Sequence, residues 1–280
     1  MTNHFKLPCS YAGGDAIDLH VVERCDDVTS GEVIMFIHGW LEHCGRYVEL
    51  TDSFVGRTNT ITFDLPGHGT SGGTRCKLDS MHISSIATIV DYCRTKYTKV
   101  HVCAHSIGGL LLVEYLNRYG YVGSSIFETV VLYNPYLGDP YTTIVPRSWA
   151  RRGAPNGCAN IGFTGVNTRN CFSNSCDGYN YKSDPLVFAG REKLTLSTCL
   201  SIITIIQNVN EIQFHKPITW IIGTKDRICK QSRYRKYIRD DDVVVRILNG
   251  AHRLHEDRMS KDEFYITLQC IFNSKIAIVK

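Results

Sequence analysis

The stretch VHVCAHSIGG, from Val100 to Gly109, places a serine hydroxyl between an apolar strand-like run and the helix-like segment IGGLLLVEYLNRYG. Residues Ala104 to Gly108 fit the pattern small-x-Ser-x-Gly, with alanine in place of the first glycine. That pattern displays a nucleophilic serine on a strained strand-to-helix turn. The alternative is a serine that only caps the following helix. A displayed Ser106 predicts covalent catalysis of acyl transfer.

A serine hydroxyl needs a base to take its proton and an acid to orient that base. With the serine on such a turn, the partners follow in the order Asp or Glu, then His. Asp226 ends the stretch TWIIGTKD and His252 ends VVVRILNGAH, each just beyond an apolar run. Considered singly, Asp226 is more typical of a loop residue and His252 of a packing residue. Their order along the chain and their positions beyond apolar runs together predict that Asp226 is the acid and His252 the base. Asp139 is the alternative acid and His255 the alternative base.

Attack on a carbonyl also needs N–H donors for the developing oxyanion. The backbone N–H of Ile107, directly after the serine, is one candidate. The N–H of Trp40, in the turn IHGW that follows an earlier apolar run, is the other. His38, Asp64 and His68 lie in turns of the same kind and are interpreted as loop architecture.

Ser106, Asp226 and His252 can meet only if the strands that precede them end at one edge of a sheet. Nearly continuous apolar runs alternate with segments of helical spacing, which predicts an α/β fold with a mostly parallel central sheet flanked by helices. Residues 1–280 are expected to form a single domain. The predicted elements are an antiparallel strand in AIDLHVVER, a helix over Asp79–Lys96, and further strands in EVIMFIHGW, TNTITF, KVHVCAHS, ETVVLYNPY, KPITWIIG and DDVVVRIL.

Residues 136–206 break this alternation, because the segment is rich in Gly, Asn, Ser and Pro up to about Asp184. A long irregular stretch inside a compact domain is usually functional or disordered. Its interspersed aromatic residues favour an inserted lid or cap. Three of its cysteines are candidates for a disulfide, while no pairing is assigned to them: Cys158, Cys171 and Cys176.

Bulk composition excludes several classes of protein. The formal net charge is +4 and the basic residues are scattered, which disfavours a nucleic-acid surface. The beginning of the chain does not resemble a signal peptide, and no run of 18 uninterrupted apolar residues occurs. We therefore expect a soluble, cytoplasmic protein. The 12 cysteines are dispersed without a CxxC pair, so neither a metal nor another cofactor is predicted.

Six stretches resemble, in order, the monoacylglycerol lipase and lysophospholipase group of α/β hydrolases. They run from about residue 33 to 257: HGWLEHCGRYVEL, FDLPGHGTSGG, AHSIGGLL, SDPLVF, GTKDRIC and NGAHRLHED. The resemblance implies the α/β-hydrolase fold and an esterase for an acyl ester of glycerol or a related alcohol. It assigns the nucleophile, acid and base to Ser106, Asp226 and His252, and the oxyanion donors to Trp40 and Ile107.

The resemblance also implies a head-group site formed by Glu42, Arg46 and His255, which would face glycerol. The alternative for Glu42 and Arg46 is a local helical ion pair at i, i+4 spacing. Two features depart from the family pattern. Trp40-Leu41 replaces the usual small residues, which would reshape the acyl entrance, and the segment of His252 after Gly250 is one residue short.

A lipid ester is thus the expected substrate, most simply a monoacylglycerol. Lysophospholipase, thioesterase and general carboxylesterase activity share the same machinery. A non-catalytic lipid receptor on the same fold is the alternative of a different class. The aromatic and basic residues of the lid suit either a peripheral membrane contact or a lid packed on the core. They are Tyr136, Tyr141, Arg147, Trp149, Arg151, Arg152, Phe163 and Phe172.

Overall fold

The computed structural model describes residues 1–10, 15–25, 31–138, 162–163, 170–173, 175–187 and 194–272. In chain order its strands are β1 (Thr2–Cys9), β2 (Ile17–Arg24), β3 (Glu32–Ile37), β4 (Asn59–Phe63), β5 (Lys99–His105), β6 (Phe127–Tyr133), β7 (Gly162–Phe163), β8 (Leu194–Thr195), β9 (Ile218–Gly223) and β10 (Val243–Ile247). Eight of them form one sheet in the order β1-β2-β4-β3-β5-β6-β9-β10, and β7 pairs with β8.

The sheet is mostly parallel, as predicted. Strand β2 pairs antiparallel with both β1 and β4, and every pairing from β4 across to β10 is parallel. The carboxyl ends of β3, β5, β6, β9 and β10 therefore meet at one edge, where ligands bind in folds of this class.

Helices cover both faces of the sheet. They are α1 (Val48–Asp52), α2 (Ser80–Lys96), α3 (Ile107–Ser124), α4 (Ser175–Ser183), α5 (Leu196–Asn208), α6 (Gln231–Tyr234) and α7 (Lys261–Phe272), with short 3-10 turns at Cys44–Tyr47 and Arg235–Tyr237. Helix α2 begins where its sequence predicts, because the Asp79 carboxylate accepts from the Met81 N–H and caps the first turn.

The central strands are buried on both faces, which explains their unbroken apolar runs. Along β3, Val33 and Met35 contribute to one hydrophobic cluster, whereas Ile34 and Phe36 contribute to the other. This alternation follows the period of two in a strand. Helices α2 and α3 cover the first cluster, and α7 covers the second through Phe264 and Leu268 among others.

Several elements were not anticipated from the sequence, among them β1 in the main sheet and α7, which covers one of its faces. In the predicted lid, residues 139–161, 164–169, 174 and 188–193 lie outside the described part of the chain, so a lid stays a prediction. Asp139, Cys158 and the lid's arginines fall there too. Helix α5, which lies within the predicted lid segment, buries Cys199 and Ile202 in the core cluster that α3 also joins. No helix among the described residues is long and apolar enough to span a membrane.

Candidate active site

Ser106 lies on the turn between β5 and α3 in a strained backbone conformation. Its φ is +50°, in the left-handed region that residues other than glycine rarely adopt. A Cβ on Gly108 would stand 2.5 Å from the carbonyl oxygen of His38, so only glycine lets α3 begin this close to the end of β3. The Ser106 carbonyl accepts from the N–H groups of Leu110 and Tyr136. The fold therefore fixes this turn from both sides.

The structure brings His252 and Asp226 to this serine. The Nε2 atom of His252 lies 3.0 Å from Ser106 Oγ, and its Nδ1 lies 2.9 Å from Asp226 Oδ2. Ser106 and His252 are each 5 % exposed, so the hydrogen-bonded chain is almost shielded from water. These three residues are called the triad cluster below. The alternative base, His255, does not reach the serine, since its Nδ1 lies 3.1 Å from the hydroxyl of Tyr133.

Asp226 is held as a carboxylate that faces His252. Burial alone would raise its pKa, but the neighbouring His252 and the N–H groups of Cys229 and Ile228 together lower that pKa below its ordinary value. The two amides donate to Oδ1 at 2.9 and 2.7 Å, which leaves Oδ2 for the imidazole. An ionised acceptor at Nδ1 orients the ring so that Nε2 can accept the serine proton.

Asn134, directly after β6, holds the loop that carries the histidine. Its side-chain amide donates to the carbonyls of Ala251 and His252 at 3.0 and 2.9 Å, and its oxygen accepts from the N–H of Gly223. It adopts a positive φ of +43° to do so. Asn134 was not predicted from the sequence as part of the site.

The loop after β3 lies against the start of α3, which brings the two proposed N–H donors of Trp40 and Ile107 into one region. Ile107 is the first residue of α3, and the first N–H groups of a helix have no partner within it. A Cβ on Gly39 would lie 2.7 Å from His105 Nδ1, so this loop also requires glycine. The Trp40 ring is only 8 % exposed and packs edge-on against His68. Its side chain therefore belongs to the core rather than to an exposed entrance.

Glu42 and His255 form part of a second, fully buried cluster. Both are 0 % exposed as side chains, and Glu42 forms an ion pair with Arg253. Glu42 also accepts from the Gly39 N–H, and its Oε1 lies 3.1 Å from His105 Nδ1. Glu42, His105, Arg253 and His255 are called the Glu42 cluster below.

Glu42 and His255 are buried here, and His255 is also among the residues that line the cavity described below, so their head-group role stays a prediction. The alternative, a local ion pair between Glu42 and Arg46, gives way to other pairings. Arg46 pairs with Glu256 and, at 3.2 Å, with Asp184. The physical reason is that Glu42 precedes the 3-10 turn Cys44–Tyr47, so helical i, i+4 geometry does not apply.

Of the three predicted head-group residues, Arg46 reaches an open cavity most directly, with 21 % of its side chain exposed. The cavity has a volume of about 410 Å³, and its lining includes His255, Phe172, Glu256 and Lys261 beside Arg46. The lining carries both charge signs and includes no residue of the triad cluster.

The thiol of Cys229 lies next to the triad cluster, a neighbour that the sequence analysis did not identify. Its Sγ and one ligating atom each of Asp226 and His252 lie within 4.8 Å of one another. Burial, followed by the charge of Asp226, holds its pKa well above the ordinary value. The thiol is therefore neutral and does not compete with Ser106 as a nucleophile.

Residues 29–258 match the family model described as serine aminopeptidase, S33. The human monoglyceride lipase is 24 % identical over 242 residues, which cover 82 % of this chain and 78 % of that protein. The monoacylglycerol lipase of Mycolicibacterium smegmatis is 23 % identical over 268 residues, or 90 % of this chain and 91 % of that one. The crystal structure of Paleococcus ferrophilus monoacylglycerol lipase superposes with a TM-score of 0.74 at 20 % identity, covering 91 % and 98 % of the two chains.

Proposed function

The chain belongs to the serine aminopeptidase S33 family of α/β hydrolases, and from that premise we propose that it hydrolyses a carboxylic ester of a single-chain lipid. The substrate we propose is a monoacylglycerol, cleaved to a free fatty acid and glycerol. The observation that carries the proposal is the hydrogen-bonded chain from Asp226 through His252 to Ser106.

Acylation follows from this geometry. His252 Nε2 takes the proton of Ser106 as Oγ attacks the ester carbonyl, and Asp226 stabilises the resulting imidazolium. The N–H groups of Ile107 and Trp40 donate to the oxyanion, an interaction worth roughly 10²–10³ in rate for one donor. His252 then protonates the departing alcohol oxygen, and the acyl group remains on Ser106.

Deacylation repeats the sequence with water in place of the alcohol. His252 takes a proton from a water molecule, which attacks the acyl-enzyme carbonyl. The tetrahedral intermediate collapses and releases the fatty acid, while the proton returns from Nε2 to Ser106 Oγ. Every proton passes through the same nitrogen, so no metal or other cofactor is required for this cycle.

Support for a glycerol ester comes from the named relatives and from Arg46. The human and mycobacterial relatives are a monoglyceride and a monoacylglycerol lipase, and they align over most of this chain. The cavity lined by Arg46 offers charged hydrogen-bonding partners for a polyol. Lysophospholipids, thioesters and short-chain esters are the alternative substrates. The family description suggests a further alternative, cleavage of an N-terminal aminoacyl bond.

A substrate panel tests the proposal. The purified chain is assayed against a long-chain monoacylglycerol, a lysophosphatidylcholine, an acyl thioester, a p-nitrophenyl acetate and an aminoacyl amide, each also with Ser106→Ala. We expect the highest kcat/KM for the monoacylglycerol and loss of turnover for all substrates in the variant. A higher kcat/KM for any other member would overturn the substrate assignment. Equal turnover by the Ser106→Ala variant would overturn the mechanism.

A further inference from the structure

A third group of polar side chains lies away from the triad cluster, at the junction of β2, the Cys44–Tyr47 turn and the end of β4. His20 Nδ1 lies 3.0 Å from Asp64 Oδ2, and Cys44 Sγ lies 3.7 Å from the same nitrogen. One ligating atom of each residue falls within 4.8 Å of the other two. Three chemically different ligands therefore converge from three separate segments.

These distances are close to those around one tetrahedral ion, although the 3.0 Å between His20 Nδ1 and Asp64 Oδ2 is a hydrogen-bond distance that must lengthen on binding. Zinc binds thiolate at about 2.3 Å and imidazole or carboxylate at about 2.0–2.2 Å, which separates neighbouring tetrahedral ligands by roughly 3.3–3.7 Å. The mixed sulfur, nitrogen and oxygen set is one that zinc prefers. Cys44 and Asp64 are buried, whereas 24 % of the His20 side chain is exposed. The exposed imidazole gives an ion a path from solvent and leaves a position for water.

The surrounding hydrogen bonds hold the ligands in place. Asp64 accepts from the N–H groups of Cys44 and Thr70, at 2.7 and 2.8 Å, so its carboxylate is fixed. The other ring nitrogen of His20, Nε2, lies 3.4 Å from Nδ1 of His4, and the two rings stack. When Nε2–H donates to His4, the lone pair of Nδ1 faces Cys44 and Asp64. A hydrogen bond from the distal nitrogen is typical of histidines that bind metal.

We propose that His20, Cys44 and Asp64 form a zinc-binding site, with water as the fourth ligand. On binding, the thiol of Cys44 loses its proton to solvent and the S–H bond is replaced by a sulfur–zinc bond. The Nδ1 proton of His20 moves to Nε2 as the tautomer changes, and the Asp64 carboxylate binds without proton loss. One proton is thus released for each ion bound.

The two other groups of ligating side chains are poorer candidates. Asp226, Cys229 and His252 are committed to the triad cluster. The carboxylates of Glu42 and Glu256 already face the guanidinium groups of Arg253 and Arg46, whose positive charge opposes a cation. Asp64 instead accepts a hydrogen bond from the Nδ1–H of His20, and a zinc ion can take the place of that hydrogen bond.

An ion at this site would connect the segments of Cys44 and Asp64, which lie next to the loops that contact Trp40. The 3-10 turn begins at Cys44, two residues after Glu42, and Asp64 begins the loop that reaches His68. Because His68 packs against the Trp40 ring, the proposed zinc would hold together the segments on this side of the active site.

Zinc binding to the full chain tests this proposal independently of catalysis. The chelator-treated protein is titrated with zinc chloride by calorimetry, and the cobalt(II) form is examined for a thiolate charge-transfer band. Cys44→Ala and Cys229→Ala form a matched pair, because each removes one buried thiol from one candidate group. We expect one zinc per wild-type chain, one proton released and an unchanged Cys229→Ala variant. Cys44→Ala should bind roughly 100-fold or more weakly and lose the cobalt band.

His20→Gln supplies a second variant at a partly exposed position, and it should also bind at least ten-fold more weakly. Binding lost in Cys229→Ala but kept in Cys44→Ala would move the ion to the active site and overturn the proposal. Binding equal in wild type, Cys44→Ala and His20→Gln, or no binding at all, would overturn it as well. Neither readout depends on esterase activity, so failure of the zinc site leaves the proposed function standing.

Discussion

The triad cluster and the Glu42 cluster lie side by side at the carboxyl edge of the sheet, and each contains a carboxylate paired with a histidine. In each, a carboxylate contacts a histidine at about 3 Å. In the triad cluster the second ring nitrogen faces the hydroxyl of Ser106. In the Glu42 cluster, the second nitrogen of His105 faces the carbonyl of His252. A carboxylate–histidine pair acts as a base only where its free nitrogen meets a group that can give up a proton.

The Glu42 cluster instead connects the parts of the active site. Glu42 holds the Gly39 N–H, one residue before the proposed donor Trp40. His105 lies between this carboxylate and the backbone of His252, with its two ring nitrogens 3.1 and 3.0 Å from Glu42 Oε1 and the His252 carbonyl oxygen. Burial lowers the pKa of His105 to about 3, so the neutral ring donates to one of these two oxygens. The Glu42 cluster therefore packs between the oxyanion loop and the histidine loop. We interpret Glu42 and His105 as positioning residues.

The largest difference between the clusters is expected in the rate. His252→Gln removes the base and should lower kcat by roughly 10⁴–10⁶-fold, as loss of a triad member does in other serine hydrolases. His255→Gln changes a ring that touches neither Ser106 nor Asp226, so kcat should stay within about ten-fold. Steady-state kinetics on a p-nitrophenyl ester measures both. Losses of similar size would show that the two histidines share the catalytic role.

An intermediate effect is expected in stability. Glu42→Gln removes the charge that faces the buried Arg253, and breaking such a pair costs about 3 kcal/mol, since Glu256 remains as its second partner. Glu49→Gln, which breaks the more exposed ion pair with Lys261, serves as the control and should cost under about 1 kcal/mol. Urea unfolding compares the two free energies.

The same Glu42→Gln variant separates positioning from substrate contact. Because Glu42 is buried, kcat/KM for a monoacylglycerol and for a p-nitrophenyl ester should fall by the same factor. A selective loss for the monoacylglycerol would assign Glu42 to the head-group site and contradict its interpretation as a positioning residue.

The smallest effect is the pH dependence of stability. Burial, the largest cause, lowers the pKa of His38 to about 4 from an ordinary 6.5, so the folded ring is neutral. Its Nε2 accepts from the Leu65 N–H, and its Nδ1 donates to the Gly39 carbonyl. Below pH 6.5, His38 binds a proton in the unfolded chain but not in the folded chain. The free energy of unfolding therefore decreases as the pH falls towards 4.

This histidine should contribute a slope of up to about 1.4 kcal/mol per pH unit within that window. The amide oxygen of His38→Gln can still accept from Leu65, but the side chain does not titrate. The variant should therefore unfold with a shallower dependence between pH 6 and 4.5. An unchanged slope would show that His38 is not buried as a neutral ring.

The elements that position the triad cluster could be predicted because each carries a local signal. Central strands appear as apolar runs, and the turn at Ser106 appears as small residues around a serine. Strand β1 was not predicted because it is a half-exposed edge strand that contains Pro8 and charged or polar residues. Helix α7 was missed although Phe264 and Leu268 give its buried face a helical spacing.

Roles fixed by contacts between distant segments could not be predicted from local patterns. Glu42 and Arg46 have helical spacing, yet the 3-10 turn between them sends the two side chains to different partners. Asn134 shows only an ordinary loop sequence, and its role depends on carbonyls more than 100 residues away along the chain. His20, Cys44 and Asp64 likewise come from three segments whose spacing matches no metal-binding motif.

The central claim is that Ser106, activated by His252, is the nucleophile. The most direct measurement is the intact mass of the chain after reaction with a fluorophosphonate, with peptide mapping of the adduct. We predict one adduct per wild-type chain, located on Ser106, and none at this dose in Ser106→Ala. An unmodified wild-type chain, or equal modification of Ser106→Ala, would contradict the claim.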